Sequence, residues 1–345
     1  MGVTVRIFVD ELTALNVVSQ EEATRVNSSF TGDELSVDAE QVARRLIEQG
    51  ILTKFQAVNL YQGRGRGLVF GPYIVLDKIG AGGMGKVFKA RDRRSERIVA
   101  LKVLLPDAVA SPKKLQRFLR EVEVASTLVH PNVVAAYESG QAHGTHYFAM
   151  EYVDGCDLSN YVTRHGPLSP AKAIDVVLQT ARGLQYAHER GVVHRDVKPS
   201  NILIDGAGRV KILDLGLARV FRASDDGTAA PSGVLTVEGE VMGTVDYMAP
   251  EQSQDTHTVD DRADIYSLGC TLYRLLTGNP PYPGETSIMK IMAHHDRPIP
   301  PLAEACPAAP AALAALYERM LAKKPDERIQ TMREVVAALE GIICG

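Results

Sequence analysis

The chain has 345 residues, of which 45% are hydrophobic and 23% are charged, a composition typical of globular proteins with two or three folded units at this length. The formal net charge of −4 provides no basic surplus and therefore does not favour nucleic acid as a partner. The cysteines form no CxxC pair, and no apolar run reaches the roughly 18 residues of a membrane span, so we expect a cytoplasmic protein without a zinc site or a disulfide framework.

The first part of the chain is predicted to be helical. Apolar residues recur at helical spacing between residues 8 and 61, and in DAEQVARRLIEQG (38–50) the final glycine ends the helix. We expect three or four short helices. The QGRGRG stretch (62–67) indicates a solvated linker. Three roles remain open for this helical region: it docks on the rest of the chain, binds a partner, or connects to an upstream regulator.

After the linker, the hydrophobic pattern changes to the alternation of strands. Gly80, Gly82 and Gly85 form a GxGxxG pattern, which dinucleotide-binding folds also use. In those folds the glycine turn opens a helix, whereas the residues from Lys86 to Ala90 are predicted to form a strand. The glycines therefore belong to a bent hairpin, where backbone N–H groups can approach phosphates closely.

A lysine and a glutamate follow on the next two predicted elements. Lys102 closes VALK within the predicted strand RIVALKVLL, and by itself it could extend its ammonium group to solvent. Ser111 and Pro112 are typical of a helix start. The apolar stripe of that helix places Glu121 at its margin, from which the carboxylate can reach toward Lys102.

Three further motifs carry the charged chemistry. The segment VVHRDVKPSNIL (192–203) concentrates charges between two apolar runs. ILDLGLA (212–218) contains an aspartate between apolar residues, and APE stands at 249–251. A chain normally avoids burying so many charges close together, so the first of these segments indicates a chemical role.

From about Tyr73 to Leu339 these motifs, in this order, resemble those of the bacterial eukaryotic-type (Hanks-type) serine/threonine protein kinases. The resemblance implies an α+β, bilobal protein kinase fold, with a β-rich N-lobe at about 73–150, a helical C-lobe at about 154–341 and ATP between them. We expect a helical accessory region and linker over 1–67 and a kinase domain over 68–345. The GILTKFQAVNLYQGR stretch is similar to the helical leader of some planctomycete-type bacterial kinases.

The resemblance assigns roles to the charged residues. Asp196 matches the catalytic carboxylate that orients the attacking hydroxyl, and Lys198 is expected to face the γ-phosphate. Asn201 and Asp214 match the Mg²⁺ ligands, with ATP phosphates and water completing the shell. Leu215 replaces the usual phenylalanine and is expected to keep its packing role. His194 is expected to be a structural core residue.

The resemblance also implies an ATP site. Met150 in MEYV is expected to be the gatekeeper of the hinge, the backbone of the next residues to face adenine, and Asp157 to reach the ribose. The residues expected to contact or position the nucleotide are Ile79, Gly80, Gly82, Gly83, Gly85, Val87, Ala100, Lys102, Glu121, Met150, Glu151, Val153, Asp157 and Leu203.

A long segment rich in Ser, Thr, Gly and acidic residues lies between Gly216 and Ala249. By composition it could be plainly disordered, but its position before APE indicates an activation segment. In similar kinases a phosphorylated threonine of this segment pairs with the arginine beside the catalytic aspartate, here Arg195. Thr236 is the first candidate for phosphorylation, and Glu238 with Glu240 offers an alternative, a fixed negative charge.

Substrate class and bracing residues follow from the same resemblance. Lys198 together with Thr244 implies serine or threonine acceptors. Asp264 and Arg328 match positions that brace the catalytic loop and pair with Glu251, although each alone would usually be a surface charge.

Two other functions stay as alternatives to an active protein kinase. A catalytically silent scaffold that binds ATP would usually have lost one of the charged or amide residues that the resemblance assigns to catalysis. A small-molecule kinase would share the catalytic-loop and metal-binding spacing, but the glycine hairpin, APE and Asp264 favour protein substrates. We also expect self-association for phosphorylation in trans. The intact residues are Lys102, Glu121, Asp196, Asn201 and Asp214.

Overall fold

The computed structural model describes most of the chain as two units. One unit comprises Met1–Ser111 with Tyr137–Tyr152, and the other comprises Pro112–Ala136 with Val153–Gly345. The described residues are 3–28, 38–82, 85–106, 111–215, 245–254 and 259–344.

Within the described residues, four helices open the first unit, in agreement with the expectation of three or four. They are α1 (Val5–Ala14), α2 (Gln20–Ser28), α3 (Glu40–Glu48) and α4 (Lys54–Tyr61). Each of α1 and α4 begins after a threonine whose hydroxyl accepts a backbone N–H, Thr4 for α1 and Thr53 for α4. After α3, Gly50 has a φ of +70°, a conformation that glycine adopts without strain.

A six-stranded sheet follows, with the strand order β1-β2-β3-β4-β6-β5. The glycine-bent hairpin predicted from the sequence is formed by β2 and β3, with Gly82 opposite Gly85. A side chain at position 85 would place its Cβ 2.2 Å from the Val103 carbonyl oxygen, so only glycine fits there. The strands are β1 (Val69–Phe70), β2 (Tyr73–Gly82), β3 (Gly85–Asp92), β4 (Ile98–Leu104), β5 (Ala136–Ala142) and β6 (Thr145–Glu151).

The two faces of this sheet have different surroundings. Strand residues alternate between faces, so the pairing of Lys102 with Val87 and Phe148 places these three on one face. Side chains of the opposite face join the apolar residues of α1, α3 and α4 in one hydrophobic core. The buried strand residues in that core are Phe70, Tyr73, Ile74, Val75, Phe88, Ala90, Val99, Leu101, Tyr147 and Ala149.

The expected linker is only partly solvated. Most of residues 62–67 are exposed, but Gly65 is buried at the start of a short 3₁₀ helix. A Cβ on Gly65 would lie within 3.0 Å of side-chain atoms of Glu11, Leu15 and Leu60. The chain therefore passes directly from the helices to the sheet with its backbone packed against α1 and α4.

The second unit is mainly helical and contains a small sheet of three antiparallel strands, β7 (Gly155–Asp157), β8 (Ile202–Asp205) and β9 (Val210–Ile212). Its core is centred on α7 and α9, which are buried over most of their length. The helices are α5 (Pro112–Ser126), α6 (Leu158–His165), α7 (Pro170–His188), α8 (Pro250–Gln254), α9 (Arg262–Thr277), α10 (Ser287–Asp296), α11 (Leu302–Ala305), α12 (Ala311–Met320) and α13 (Met332–Cys344).

Candidate active site

The HRD part of the charged loop is held by a carboxylate from the centre of the second unit. Asp264, fully buried in the first turn of α9, accepts the backbone N–H of His194 at 2.8 Å and that of Arg195 at 2.7 Å. Arg195 has a φ of +64°, which costs a non-glycine residue about 1 to 3 kcal/mol. Asp264 therefore stabilises a backbone turn that is unfavourable by itself.

His188, at the end of α7, supplies a third partner for Asp264. Its Nε2 lies 2.8 Å from Asp264 Oδ2. Burial opposes the charged form of His188, but the hydrogen bond and the charge of Asp264 outweigh it and raise the pKa of His188 above 6.5. Burial likewise opposes ionised Asp264, but the hydrogen bond from His188 and its charge keep the pKa of Asp264 below its usual value.

Three predicted catalytic and metal-binding residues meet in the same loop. Lys198 Nζ lies 3.0 Å from Asp196 Oδ2. Asn201 Nδ2 donates to the Asp196 carbonyl oxygen at 2.8 Å and to Asp196 Oδ2 at 3.0 Å. Both side chains orient the Asp196 carboxylate, and the amide oxygen is the group that Asn201 can offer a cation.

Asp214 follows β9 closely in sequence, and its neighbour Leu213 is hydrogen-bonded to the cluster. The N–H of Leu213 donates to the Asn201 carbonyl oxygen at 2.9 Å, and the Leu213 carbonyl oxygen lies 2.9 Å from His194 Nε2. Asp214 has a φ of +54°, a second strained position in the loop region. Leu215 is buried, in keeping with the packing role expected of it.

The donor chemistry of this region fits Mg²⁺. An aspartate and an asparagine offer the hard oxygen ligands that Mg²⁺ prefers, and Mg²⁺ usually binds through one or two carboxylates plus phosphates and water. The described ranges contain no group of three or more His, Cys, Asp and Glu side chains that could hold a metal ion. Asn201 and Asp214 would each offer one such oxygen ligand to a metal ion.

The APE segment and the residue after it are hydrogen-bonded to the HRD loop and to Arg328. Gln252 Nε2 donates to the Arg195 carbonyl oxygen at 2.9 Å, while its Oε1 accepts the N–H of Ala249. Glu251 forms two contacts with the buried Arg328, at 2.7 and 3.1 Å. Asp264 and Arg328 are therefore internal structural residues of the site and not surface charges.

In the first unit, the strand register places several of the predicted nucleotide residues on the sheet face that carries Lys102. Lys102 is 8% exposed, so most of its surface is buried within the sheet region. Ala100, two residues before it, pairs with Met150, and Val87 pairs with both Gly80 and Lys102. Ala100 and Met150 are buried. Ile79 is half exposed, and Glu151 pairs with Val99 at the end of β6.

Of the remaining predicted residues, some belong to the described part of the chain and others do not. Asp157 caps α6, where its carboxylate accepts the N–H of Asn160 at 2.9 Å, and it pairs with Leu203 across β7 and β8. Val153 is half-buried after β6. Glu121 lies in α5, but its side chain is outside the described set. Gly83, Thr236 and Thr244, with Glu238 and Glu240, also fall outside the described residues.

Sequence reasoning missed two residues of the site, His188 and Gln252. His188 stands six residues before His194 at the end of α7, and its spacing alone gave no reason to place it against Asp264. Gln252 directly follows APE, and its two hydrogen bonds join backbone groups that are distant in sequence. Both residues act on backbone atoms or on another side chain, a role that residue type does not reveal.

None of the described helices is long and apolar enough to span a bilayer.

Comparison with solved structures finds the kinase domain of Mycobacterium tuberculosis PknI, with a TM-score of 0.60 and 30% sequence identity. The match covers 80% of this chain and 98% of the PknI chain. This neighbour supports the expected fold, a β-sheet N-lobe and a helical C-lobe.

Comparison with curated proteins finds serine/threonine-protein kinases of bacteria. PknB of Mycolicibacterium smegmatis is 41% identical over 266 residues, which cover 76% of this chain and 41% of PknB. PrkC of Bacillus subtilis is 36% identical over 272 residues, which cover 79% of this chain and 40% of PrkC. The match thus spans about four-tenths of the length of these relatives.

A family model gives the same result over a defined range. The model described as the protein kinase domain matches residues 73–338, which include the glycine hairpin, the HRD loop, Asp214 and the APE segment. The chain belongs to the protein kinase domain family.

Proposed function

We propose that the chain is a serine/threonine protein kinase that transfers the γ-phosphoryl group of ATP to hydroxyl groups of proteins. The observation that carries the proposal is the arrangement of Asp196, Lys198 and Asn201 on a backbone turn held by Asp264. The names of the relatives PknB and PrkC, both serine/threonine-protein kinases, support the same acceptor class.

In this proposal the loop residues divide the work of the transfer. Asp196 accepts the proton of the attacking hydroxyl and orients its oxygen. Lys198, 3.0 Å from Asp196, brings a positive charge to the place where negative charge develops during transfer. Asn201 and Asp214 hold Mg²⁺, which neutralises phosphate charge when bound.

The nucleotide is proposed to bind at the sheet face that carries Lys102. Backbone N–H groups of the glycine hairpin approach its phosphates, and Lys102 contributes a positive charge. Val87, Ala100 and Met150, which the strand register places on this face, provide an apolar surface for the base. We further propose a kinase domain over 68–345, with lobes at about 73–150 and 154–341.

Regulation is proposed to act through phosphorylation in trans between two copies of the chain. Thr236 receives the phosphate, and Arg195, whose guanidinium donates to the Val259 carbonyl oxygen at 3.2 Å, pairs with it. Thr244 is proposed to pair with Lys198 in selecting hydroxyl acceptors. We also propose a cytoplasmic location and a planctomycete-like helical leader, on the sequence patterns given above.

The test is autophosphorylation of the purified chain with Mg²⁺ and ATP, compared with the variant Asp196→Asn. We expect phosphate on Thr236 or a neighbouring hydroxyl residue, and a loss of at least about 100-fold in the variant, the scale of general base catalysis. Equal melting temperatures would show that the variant is folded. Binding of ATP without phosphate transfer by the unaltered protein would contradict the proposal and indicate a scaffold.

A further inference from the structure

The outer edge of β2 loses its strand partner before the glycine hairpin begins. β1 pairs with Tyr73 and Ile74, and within the described residues no strand pairing continues along that edge. The pairing of β2 with β3 is also irregular, because the register shifts between Val75 and Asp77 and again between Lys78 and Gly80. Such bulges bend a strand and leave backbone groups without ladder partners.

Two side chains from the first turn of α4 bind this irregular part of β2. Thr53 Oγ1 donates to the Leu76 carbonyl oxygen at 2.5 Å, and Gln56 Nε2 donates to the Val75 carbonyl oxygen at 2.8 Å. Gln56 is 3% exposed and Val75 is fully buried. Successive carbonyl groups of a regular strand point to opposite edges. The irregular register therefore explains why one helical turn can bind both carbonyl groups.

The same two side chains also close the start of α4. Thr53 Oγ1 accepts the N–H of Gln56 at 3.1 Å, and Gln56 Oε1 accepts the N–H of Thr53 at 2.9 Å. This reciprocal capping box fixes both side chains before they reach the strand. Their amide and hydroxyl donors are thus held in position for the β2 carbonyl groups.

Phe55, which directly precedes Gln56, contacts the second strand of the hairpin. Its ring centroid lies 6.0 Å from that of Phe88 on β3, which is 8% exposed and opposite Lys78 of β2. One helical turn therefore contacts both strands of the hairpin on the side away from Lys102.

We propose that Thr53 and Gln56 are positioning residues for the glycine-rich hairpin. They fix the bulged part of β2, so that the following residues from Ile79 to Gly82 present their backbone N–H groups in the geometry that ATP phosphates need. The proposal rests on the kinase function proposed above. It gives the helical region before residue 67 a defined task, the support of nucleotide binding.

The test compares variants that remove one donor with little change in shape. Thr53→Val and Gln56→Met each remove a hydrogen bond to β2, and Thr53→Ser retains the hydroxyl group. Thr4→Val is the matched control, because among the described hydrogen bonds the Thr4 hydroxyl accepts the N–H of Ile7 and so caps α1. For each protein, calorimetry measures the Kd for a non-hydrolysable ATP analogue with Mg²⁺, and the maximal autophosphorylation rate is measured at saturating ATP.

We expect Thr53→Val and Gln56→Met to raise the nucleotide Kd about tenfold, because a β2 carbonyl without its donor would leave the binding geometry populated only about one-tenth of the time. The maximal rate should change less than about twofold if only positioning for binding is affected. Thr53→Ser and Thr4→Val should keep the original Kd, even if Thr4→Val lowers the melting temperature.

Two results would overturn the proposal, and they differ from each other. If the unaltered protein binds the nucleotide and transfers phosphate, but the Kd of Thr53→Val and Gln56→Met stays within twofold of that of Thr4→Val, the positioning role alone is wrong. If the unaltered protein binds no nucleotide, the proposed kinase function is wrong and the positioning role is wrong with it.

Discussion

Asp264 shows how one buried carboxylate organises the residues around the catalytic loop. It accepts two backbone N–H groups from the HRD turn and contacts His188, and it has no exposed surface. A buried charge is stable only when its partners satisfy it. The strained φ of Arg195 therefore depends on Asp264, and the ionised state of Asp264 depends in part on His188.

This dependence predicts how stability changes with pH. Because the pKa of His188 is raised above 6.5 in the folded protein, its protonated form stabilises the fold fully below that pH, and the contribution is lost as pH rises through the folded pKa. Replacing His188 with glutamine should thus cost about 3 kcal/mol near pH 6, the scale of a broken buried pair, and less at pH 9. Urea unfolding of both proteins between pH 5.5 and 9 measures the difference.

The Asp264 carboxylate sets the lower pH limit of this stabilisation. The pKa of Asp264 is lowered by folding, so its own contribution is present above about pH 4 and disappears only in stronger acid. A stability difference that stays constant from pH 5.5 to 9 would contradict a charged His188 in the folded protein.

At the scale of elements, Arg328 connects the turn before α13 to α8. Its guanidinium is fully buried and binds both oxygens of Glu251, and it also donates to the Arg262 carbonyl oxygen. Removing Arg328 would leave the Glu251 carboxylate without its main partner. We expect Arg328→Ala to lower the free energy of unfolding by about 3 to 5 kcal/mol, measured by urea denaturation.

Arg333 provides the matched control for this prediction. It pairs with Glu189 at 2.9 Å, but its side chain is 74% exposed. Exposed pairs contribute about 0 to 1 kcal/mol, so Arg333→Ala should change stability by no more than that. Equal losses for the two variants would show that burial does not determine the contribution of the Arg328 pair.

Local patterns allowed the sequence to predict the elements that carry the site, but not how the elements pack. The β2–β3 hairpin followed from strand alternation around Gly80, Gly82 and Gly85, and α5 begins at Pro112 as its start signal indicated. The packing of α4 on β2 was not predictable, because Thr53 and Gln56 show a capping box in sequence while their carbonyl partners lie about twenty residues away. Asp264 was assigned by resemblance, whereas its contact with His188 depends on how α7 and α9 cross.

At the scale of the whole molecule, the hydrophobic core of the first unit extends beyond the residues that the family model matches. The protein kinase domain model begins at residue 73, but the core of the first unit includes residues of α1 and α4, among them the fully buried Phe8 and Leu60. The same core contains Phe88 and Leu101 from the sheet. The four N-terminal helices are therefore part of the fold that supports β2, β3 and β4.

A chain shortened to residues 68–345 should consequently lose stability and solubility. Removing the helices exposes the apolar sheet face that they cover, and large exposed apolar patches promote association. We expect the shortened chain to elute as aggregates in size-exclusion chromatography or to melt well below the 345-residue chain. Within the 345-residue chain, Leu60→Ala should cost about 2 to 5 kcal/mol, whereas Val58→Ala, at a residue that is 39% exposed, should cost less than about 1 kcal/mol. A monomeric shortened chain with an unchanged melting temperature would show instead that the sheet folds without its helical cover.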